Sequence, residues 1–270
     1  AVHLARDDGD ALMAVLPSDA YIREVARYRG LVRAALEHAR TPGSMVVIGI
    51  PPTHPETGYG YIERGGTAGR PRGVTAYVVR RFTEKPALPQ ARQYVASGKY
   101  LWNAGMFIWR VSTFLESLQR FLPKTHEALA ELAETIGTPK YAPALRRIYP
   151  SLENISVDYA IMEPATRLPG KPRVSVIPAK IGWSDIGSWA AAYELLAKNP
   201  QENVSAGPFF ALDSGGNYFW SPNKLVAAIG VRDLVMVDTG DALLLCSRER
   251  SQDVGKVVKW LEQQKRQDLL

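Results

Sequence analysis

Apolar runs of two kinds divide this chain near Asn199-Pro200. Before this point, strand-like runs such as Met45 to Ile50 alternate with apolar stripes at helical spacing, as at Leu88 to Ser97. After it, short β-like runs follow one another with only turn residues between them. The pattern predicts an α/β domain over residues 1–199, with a mainly parallel, doubly wound sheet, and a small all-β domain over residues 200–270 that ends in a helix. The β-like runs are Phe209–Leu212, Tyr218–Trp220, Leu225–Ile229, Leu234–Val237 and Ala242–Cys246.

The first elements of the α/β domain have local signals of their own. Leu12 to Leu16 is a short apolar run before Pro17, which predicts a buried parallel strand. The apolar stripe from Ile22 to Ala39 predicts a helix, and we expect Ser18 or Asp19 to be its N-cap.

Residues 51–60 are so rich in Pro and Gly that they predict a loop. Val74 to Lys85 alternates in the way a strand does, which would place Glu84 and Lys85 on opposite faces. Pro86 ends this strand and favours an extended backbone at Lys85. Met106 to Val111 is a further apolar strand.

Composition excludes several classes of protein. With 270 residues, 46% of them hydrophobic, the chain is long enough for a full core, and its apolar stretches are too short for a membrane span. A single cysteine excludes an internal disulfide framework, and the four histidines lack the spacing of zinc ligands. The first residues form no export signal, so we expect a cytoplasmic protein without a membrane partner.

The net charge of +6 is concentrated between residues 60 and 100. This window holds eight basic and two acidic residues, and the rest of the chain is balanced. The basic residues lie on predicted loops and one strand, so we expect small anionic ligands such as phosphates, or a solvated surface, and no nucleic acid. The basic residues are Arg64, Arg70, Arg72, Arg80, Arg81, Lys85, Arg92 and Lys99.

Two aspartates follow predicted strands at places where α/β proteins bind ligands. Asp19 follows the strand that ends at Leu16, and Asp185 follows the strand predicted over Arg173–Ile181. Two carboxylates in one crevice suit Mg²⁺, which takes one or two protein carboxylates and fills its shell with water and phosphate oxygens. The alternative is that each aspartate caps a helix.

Glu84 and Lys85 stand together in the segment Phe82-Thr-Glu-Lys-Pro86. A carboxylate there would accept hydrogen bonds from sugar hydroxyls, and a lysine would offer a point charge to a phosphate. The alternative is a surface ion pair at a strand end.

Glycines and one asparagine form a second group of candidates. In Gly58-Tyr59-Gly60 and Asn103-Ala-Gly105, glycine would let a ligand approach the backbone, and the amide can both donate and accept hydrogen bonds. Ordinary turn chemistry explains them equally well. Asp158 stands at a predicted helix start, where it would complement the helix dipole.

Six segments, in this order, together strongly resemble the bacterial mannose-1-phosphate guanylyltransferases. They are Leu16-Pro-Ser-Asp19, Pro55-Glu-Thr-Gly-Tyr-Gly-Tyr-Ile62, Phe82-Thr-Glu-Lys-Pro86, Trp102-Asn-Ala-Gly-Met-Phe107, Ser156-Val-Asp-Tyr-Ala-Ile-Met-Glu163 and Trp183-Ser-Asp-Ile-Gly-Ser-Trp189. The resemblance implies a Rossmann-like nucleotidyltransferase sheet, incomplete at its N-terminus, and a small β-helix-like C-terminal domain. It also implies transfer of GMP from GTP to mannose 1-phosphate, giving GDP-mannose and pyrophosphate.

The same resemblance implies roles for individual residues. Asp19 and Asp185 would be Mg²⁺ ligands and catalytic together with Lys85. Separately from the resemblance, the β-rich tail and the terminal helix could serve as the interface of a homodimer. Substrate binding would fall to Gly58, Tyr59, Gly60, Glu84, Lys85, Asn103, Gly105 and Asp158.

The family's N-terminal Gly-rich nucleotide loop has no counterpart in this sequence, which contains no G-x-G-x-x-G, Walker-type or G-x-S-x-G motif. We therefore expect the 270-residue chain by itself to have little or no guanylyltransferase activity. Two alternatives stay open: a nucleotidyltransferase for another hexose 1-phosphate, and a non-catalytic protein that binds sugar phosphates.

Overall fold

A computed structural model describes residues 1–168, 170 and 172–270. The chain forms two compact units, one of residues 1–18 and 22–183 and one of residues 19–21 and 184–270. The predicted boundary between the α/β domain and the all-β domain, at residues 199 and 200, is a separate matter from these units and stays a prediction. None of the described helices combines the length and the apolar character that crossing a bilayer requires.

The first unit consists of one sheet with helices around it. Its helices are α1 (Val2–Asp7), α2 (Val25–Ala39), α3 (Leu88–Ser97), α4 (Val111–Phe121), α5 (Pro123–Thr135), α6 (Tyr141–Ile148) and α7 (Glu163–Arg167). The strands of the sheet are β1 (Leu12–Val15), β3 (Ser44–Ile50), β4 (Tyr61–Gly69), β5 (Ala76–Thr83), β6 (Tyr100–Arg110) and β7 (Arg173–Pro178). Two short strands, β2 (Tyr21–Ile22) and β8 (Trp183–Ser184), pair with each other.

The sheet has the strand order β1-β6-β3-β7-β5-β4, and β4 also pairs with β6. Among the described strands of this sheet, only β3 and β7 run parallel; the pairs that involve β6, β4 or β5 are antiparallel. The prediction of a mainly parallel sheet is therefore wrong. One reason is that β4 and β5 are joined by a short connection around Pro71–Gly73, which cannot make the long crossover that a parallel pair needs.

The beginning of the unit also differs from the prediction. β1 is an edge strand antiparallel to β6, and Val15 is 41% exposed, so the expected buried parallel strand is wrong. Helix α2 starts at Val25 after Glu24, so neither Ser18 nor Asp19 caps it. Ile22 belongs to β2 instead of the helix.

A bulge changes the faces of β5. Glu63 pairs with Arg81 and the next residue, Arg64, pairs with Val79, so that Arg80 has no partner on β4. An extra residue in one strand reverses which side chains face the core. The strand is also shorter than predicted and ends at Thr83, which leaves Glu84 and Lys85 in a bend beyond it.

The core of the first unit lies on β3 and β6. All seven residues of β3 are buried, as its continuous apolar run predicts. Trp109 of β6 stacks on Phe107 and Phe114, with ring centroids 5.5 and 4.9 Å apart. Burying each side chain of this size contributes about 1.5–3 kcal/mol. The two strands are thus held in place by the core. The predicted loop 51–60 continues directly from β3.

The second unit contains stacked short strands and two helices. They are α8 (Trp189–Leu196), β9 (Val204–Ala206), β10 (Phe209–Leu212), β11 (Tyr218–Trp220), β12 (Val226–Ile229), β13 (Leu234–Asp238), β14 (Leu243–Ser247) and α9 (Val254–Gln263). Strands β9, β11 and β13 form one parallel ladder and β10 with β12 another, while β14 is antiparallel to β13. In a β-helix, short strands from successive turns of the chain stack in parallel, as these strands do. The predicted β-rich segment is present, with β9 as a strand that the sequence patterns missed.

Polar groups tie the turns of this unit together. Asn217, fully buried, donates from Nδ2 to Asn203 Oδ1 at 2.8 Å and to the Val231 carbonyl at 3.1 Å, and its Oδ1 accepts from the Leu234 N–H at 2.9 Å. Both the amide nitrogen and the amide oxygen of this buried side chain therefore have hydrogen-bond partners. The Arg248 guanidinium lies 4.0 Å from the centre of the Tyr193 ring.

Candidate functional site

A bulge in β6 shapes the centre of the candidate site. Val47 of β3 pairs with Phe107 of β6, and Gly49 pairs with Asn103. The register therefore moves by two positions along β3 and by four along β6. The bulge is possible because Gly105 adopts a φ of 66°, which is unfavourable for other residues. The Asn103 side chain is fixed there, since its Oδ1 accepts from the Gly105 N–H at 3.0 Å.

Gly60 lies directly against this bulge. Its carbonyl accepts a hydrogen bond from the Asn103 N–H at 2.8 Å. A Cβ atom at Gly60 would overlap the Oε2 oxygen of Glu84 and would lie 3.2 Å from the Asn103 Cβ. Glycine suits this position because the Glu84 carboxylate approaches it closely and would have to move to admit a Cβ.

Asp158 completes the cluster from another part of the chain. It is the first residue of a π-helical turn, Asp158–Met162, and its Oδ1 accepts from Asn103 Nδ2 at 2.8 Å. The carboxylate and the amide thus join segments that are 55 residues apart in sequence. Sequence reasoning explains Asp158 only by the helix dipole or by family resemblance, and the bond to Asn103 is new.

Burial and like charge perturb the carboxylates of the cluster. Burial, followed by the charge of Asp158, raises the pKa of Glu84 from 4.5 to about 7, although the charge of Lys85 opposes this. Burial also raises the pKa of Asp158, against the hydrogen bond from Asn103. The Oε2 atom of Glu84 is buried and has no hydrogen-bond partner among the described residues. Buried acceptors of this kind are rare and often belong to binding sites.

Lys85 has a backbone conformation opposite to the predicted one. Its φ is 46°, in the left-handed region, whereas the following proline favours an extended backbone. Because Glu84 and Lys85 lie beyond the end of β5, the alternation of a strand does not govern where their side chains point. The charge of Lys85 acts on both Glu84 and Asp158, so this member of the basic window belongs to the cluster.

Other basic residues between residues 60 and 100 make contacts at the surface of the fold. Arg72 forms an ion pair with Glu37 at 3.6 Å. Arg64 donates to the Gly98 carbonyl at 3.0 Å and its guanidinium lies 5.6 Å from the centre of the Tyr77 ring. Of the two explanations left open for the window, a solvated surface fits these arginines and an anion site fits Lys85.

The loop 51–60 is held by Glu56 and by aromatic side chains. The Glu56 carboxylate accepts from the N–H groups of Thr57 at 2.7 Å and Gly58 at 2.8 Å. Its interaction with His54 lowers the pKa of Glu56. Tyr59 packs edge-on against Trp102, with ring centroids 5.2 Å apart. Sequence reasoning missed Glu56, because side chains that cap turns are typically those of Asp, Asn, Ser and Thr rather than that of glutamate.

Asp19 and Asp185, the predicted metal ligands, both belong to the second unit. Asp19 is exposed in a bend. Asp185 Oδ1 accepts from the Gly187 N–H at 3.1 Å, and Ser188 instead is the N-cap of α8. Neither aspartate is thus a helix cap. The described residues contain no group of three or more His, Cys, Asp and Glu side chains that could hold a metal.

Comparison with known proteins defines the class to which this fold and site belong. The chain belongs to the nucleotidyl transferase family, whose model matches residues 1–202. Residues 207–261 match the MannoseP isomerase/GMP-like beta-helix domain. The expected α/β nucleotidyltransferase fold with a C-terminal β-rich domain is therefore confirmed, and the family resemblance is confirmed with it.

Particular relatives narrow the class further. The chain is 38% identical to mannose-1-phosphate guanylyltransferase RfbM of Salmonella typhimurium, covering 97% of this chain and 53% of that protein. It is 40% identical to a mannose-1-phosphate guanylyltransferase of Klebsiella pneumoniae, covering 99% of this chain and 55% of that protein. A crystal structure described as mannose-1-phosphate geranyltransferase from Thermus thermophilus is 35% identical, with a TM-score of 0.81, over 97% of this chain and 72% of that one. The chain spans about half the length of the curated relatives it matches.

Proposed function

We propose that this protein transfers GMP from GTP to mannose 1-phosphate and forms GDP-mannose and pyrophosphate. The observation that carries the proposal is the cluster of Glu84, Asn103 and Asp158 around Gly60, with the charge of Lys85 beside it. A carboxylate oxygen without a partner and an amide are suited to the hydroxyl groups of a sugar, and an ammonium is suited to a phosphate. Family membership and the similarity to mannose-1-phosphate guanylyltransferases support the reaction.

In this proposal the cluster binds the sugar phosphate. Glu84 and Asp158 accept hydrogen bonds from sugar hydroxyls, and Asn103 both holds Asp158 and offers its own amide. The loop formed by Gly58, Tyr59 and Gly60 covers the sugar, because Gly60 lies directly against Glu84 and Asn103 of the cluster. Gly105 keeps the bulge open and Lys85 binds the phosphate.

The reaction joins an oxygen of the sugar phosphate to the α-phosphorus of GTP, while the bond from that phosphorus to the leaving pyrophosphate breaks. Lys85 holds the attacking phosphate, so that binding at the cluster orients the nucleophile. Asp19 and Asp185 would hold a divalent cation, for which we propose Mg²⁺, because carboxylate oxygens are the ligands that this ion prefers. When bound, such an ion neutralises charge on the transferring phosphoryl group.

The proposal also covers the setting of the reaction. We place it in the cytoplasm, and we propose a homodimer formed through the β-rich unit. Leu243 and Leu245 of the edge strand β14 are 65% and 62% exposed, and an exposed apolar edge strand is suited to pairing with a second copy. Light scattering on the purified protein tests the dimer; a monomer at all concentrations would contradict it.

Binding of mannose 1-phosphate tests the site without depending on turnover. We expect calorimetry to show binding in the presence of Mg²⁺, and we expect Lys85→Ala and Asn103→Ala each to weaken it about tenfold or more. Arg92→Ala is the matched control, because Arg92 is exposed on α3 and should leave binding unchanged. Wild-type protein that fails to bind, or variants that bind as well as the control, would exclude the assignment.

A substrate panel separates the proposal from its alternatives. Preferred turnover of another hexose 1-phosphate would indicate a different sugar substrate. Binding of sugar phosphates without synthesis of a nucleotide sugar, even when the family's N-terminal nucleotide loop is joined to the chain, would indicate a non-catalytic binder. The expectation that the 270-residue chain by itself forms little GDP-mannose stays a prediction. Robust synthesis by the purified chain would overturn that expectation.

A further inference from the structure

A second cavity lies at the opposite end of the strands that support the candidate site. It has a volume of about 730 Å³ and lies beside Ser44 and Arg173, the first residues of β3 and β7. These strands are parallel, and their other ends lead to Gly49, which pairs with Asn103. The distance along β3 between the two places is roughly 16 Å. The cavity is therefore separate from the Glu84 cluster.

Hydroxylated and apolar side chains line this cavity, together with Arg173 and His38. None of the described residues that line it is acidic. Its volume falls in the range of sites that bind small molecules. Six polar residues of the lining could contact a ligand: His38, Thr41, Ser44, Thr67, Arg173 and Ser175.

One wall of the cavity is fixed by a buried hydrogen bond. His38 Nε2 lies 3.2 Å from the Oγ of Ser175, and Ser175 is only 4% exposed. The ring fits because Gly69 has no side chain; a Cβ there would lie 3.3 Å from His38 Cε1. Burial lowers the pKa of His38, so the ring is neutral at pH 7 and acts as a donor or acceptor rather than as a cation.

A tight turn builds another part of the wall. The Ser44 N–H donates to the Thr41 carbonyl at 3.0 Å, and the Arg173 N–H donates to the Gly43 carbonyl at 2.7 Å. Gly43 has a φ of 72°, which this turn requires. Arg173 is thus anchored by its backbone while its exposed side chain stands at the cavity. The backbone of this turn and the pair of His38 and Ser175 are thus held in place before a ligand binds.

We propose that this cavity is a second binding site, which takes a small hydroxylated phosphate ester. The phosphate binds Arg173, whose planar guanidinium matches two phosphate oxygens. The hydroxyls of the ligand bind the Thr and Ser side chains and the His38 ring. The inference does not depend on the function proposed above, because it uses none of the residues of the Glu84 cluster.

Histidine NMR signals locate the ligand directly, because the chain has four histidines. His38 reports on the cavity, and His54 reports on the other site, since its ring packs 4.9 Å from that of Trp102 beside the loop 51–60. Ribose 5-phosphate is the probe. Ribose and inorganic phosphate, the two parts of that molecule, are titrated separately. We expect the His38 Cε1–H signal to move and saturate with the phosphate ester and to remain in place with ribose.

Three variants complete the test. Arg173→Ala should weaken the His38 response about tenfold or more, whereas Arg92→Ala should leave it unchanged. Lys85→Ala, at the other site, should also leave it unchanged. His3 and His126 signals that stay in place show that each variant is folded. An unmoved His38, an equal response in Arg173→Ala, or a response lost in Lys85→Ala would overturn the proposal.

Discussion

Replacing Glu84 by glutamine removes a charge that the fold disfavours. The folded protein raises the pKa of Glu84 from 4.5 to about 7, so ionising this group costs folding free energy. At about 1.36 kcal/mol per pKa unit, the difference sets an upper limit of about 3.4 kcal/mol. Glu84 is only partly buried, and solvent screening reduces this to about 1–2 kcal/mol. Gln has nearly the same shape and no charge, so Glu84→Gln should be more stable by that amount.

The size of the effect depends on pH, and its sign does not. Below about pH 4.5 the carboxyl is protonated in both the folded and the unfolded chain, so wild type and Glu84→Gln should be equally stable. The stability of the wild type should then fall relative to the variant as the pH rises toward 7, and the gap should stay constant above that. Urea unfolding followed by tryptophan fluorescence at pH 4, 6 and 8 measures this gap. Glu116→Gln, at an exposed glutamate of α4, is the control that should show no such gap. A gap that is independent of pH, or a variant less stable at pH 8, would refute the reasoning.

Three further substitutions test other parts of the structure. Gly60→Ala should destabilise the protein by about 1–3 kcal/mol and abolish sugar phosphate binding, because the new Cβ overlaps a buried carboxylate, whereas Gly66→Ala, with nothing within 4 Å, should be nearly neutral in thermal unfolding. Asn217→Ala should cost about 3 kcal/mol by leaving buried groups unpaired, as measured by urea unfolding; a cost below about 1 kcal/mol would contradict the stacking role. Asp185→Asn should weaken Mn²⁺ binding, measured by electron paramagnetic resonance, about tenfold, while Asp213→Asn should not; equal binding by both would remove Asp185 from the proposed metal site.

Periodic patterns identified the elements that are decided locally. The helix predicted over Leu88–Ser97 has those bounds in the structure, and the buried run at Met45–Ile50 is a strand. Both follow from side-chain spacing, because a stripe at helical spacing or a continuous apolar run has one element that buries it well. The family also followed from sequence, because several short motifs in a fixed order are far more specific than any one of them.

Strand direction and strand irregularities were beyond such patterns. A strand shows the same residues to a parallel and an antiparallel partner, so the sequence of β6 did not reveal that it runs antiparallel to β1 and β3. The bulges at Arg80 and at Asn103–Gly105 depend on how two strands fit together. Each bulge shifts the faces of a strand. The predicted alternation at Glu84 and Lys85 did not hold because β5 ends at Thr83 and these two residues lie in a bend beyond it.

Sequence motifs already single out the candidates for chemistry, since Glu84, Lys85, Asn103 and Asp158 all stand in them. Folding adds the bond from Asn103 to Asp158, the space that Gly60 leaves for Glu84, and the burial beside Asp158 that raises the pKa of that glutamate. Residue type sets what a side chain can donate, accept or ionise. Its partners and its desolvation are set by segments distant in the chain, and these meet only when the sheet has formed.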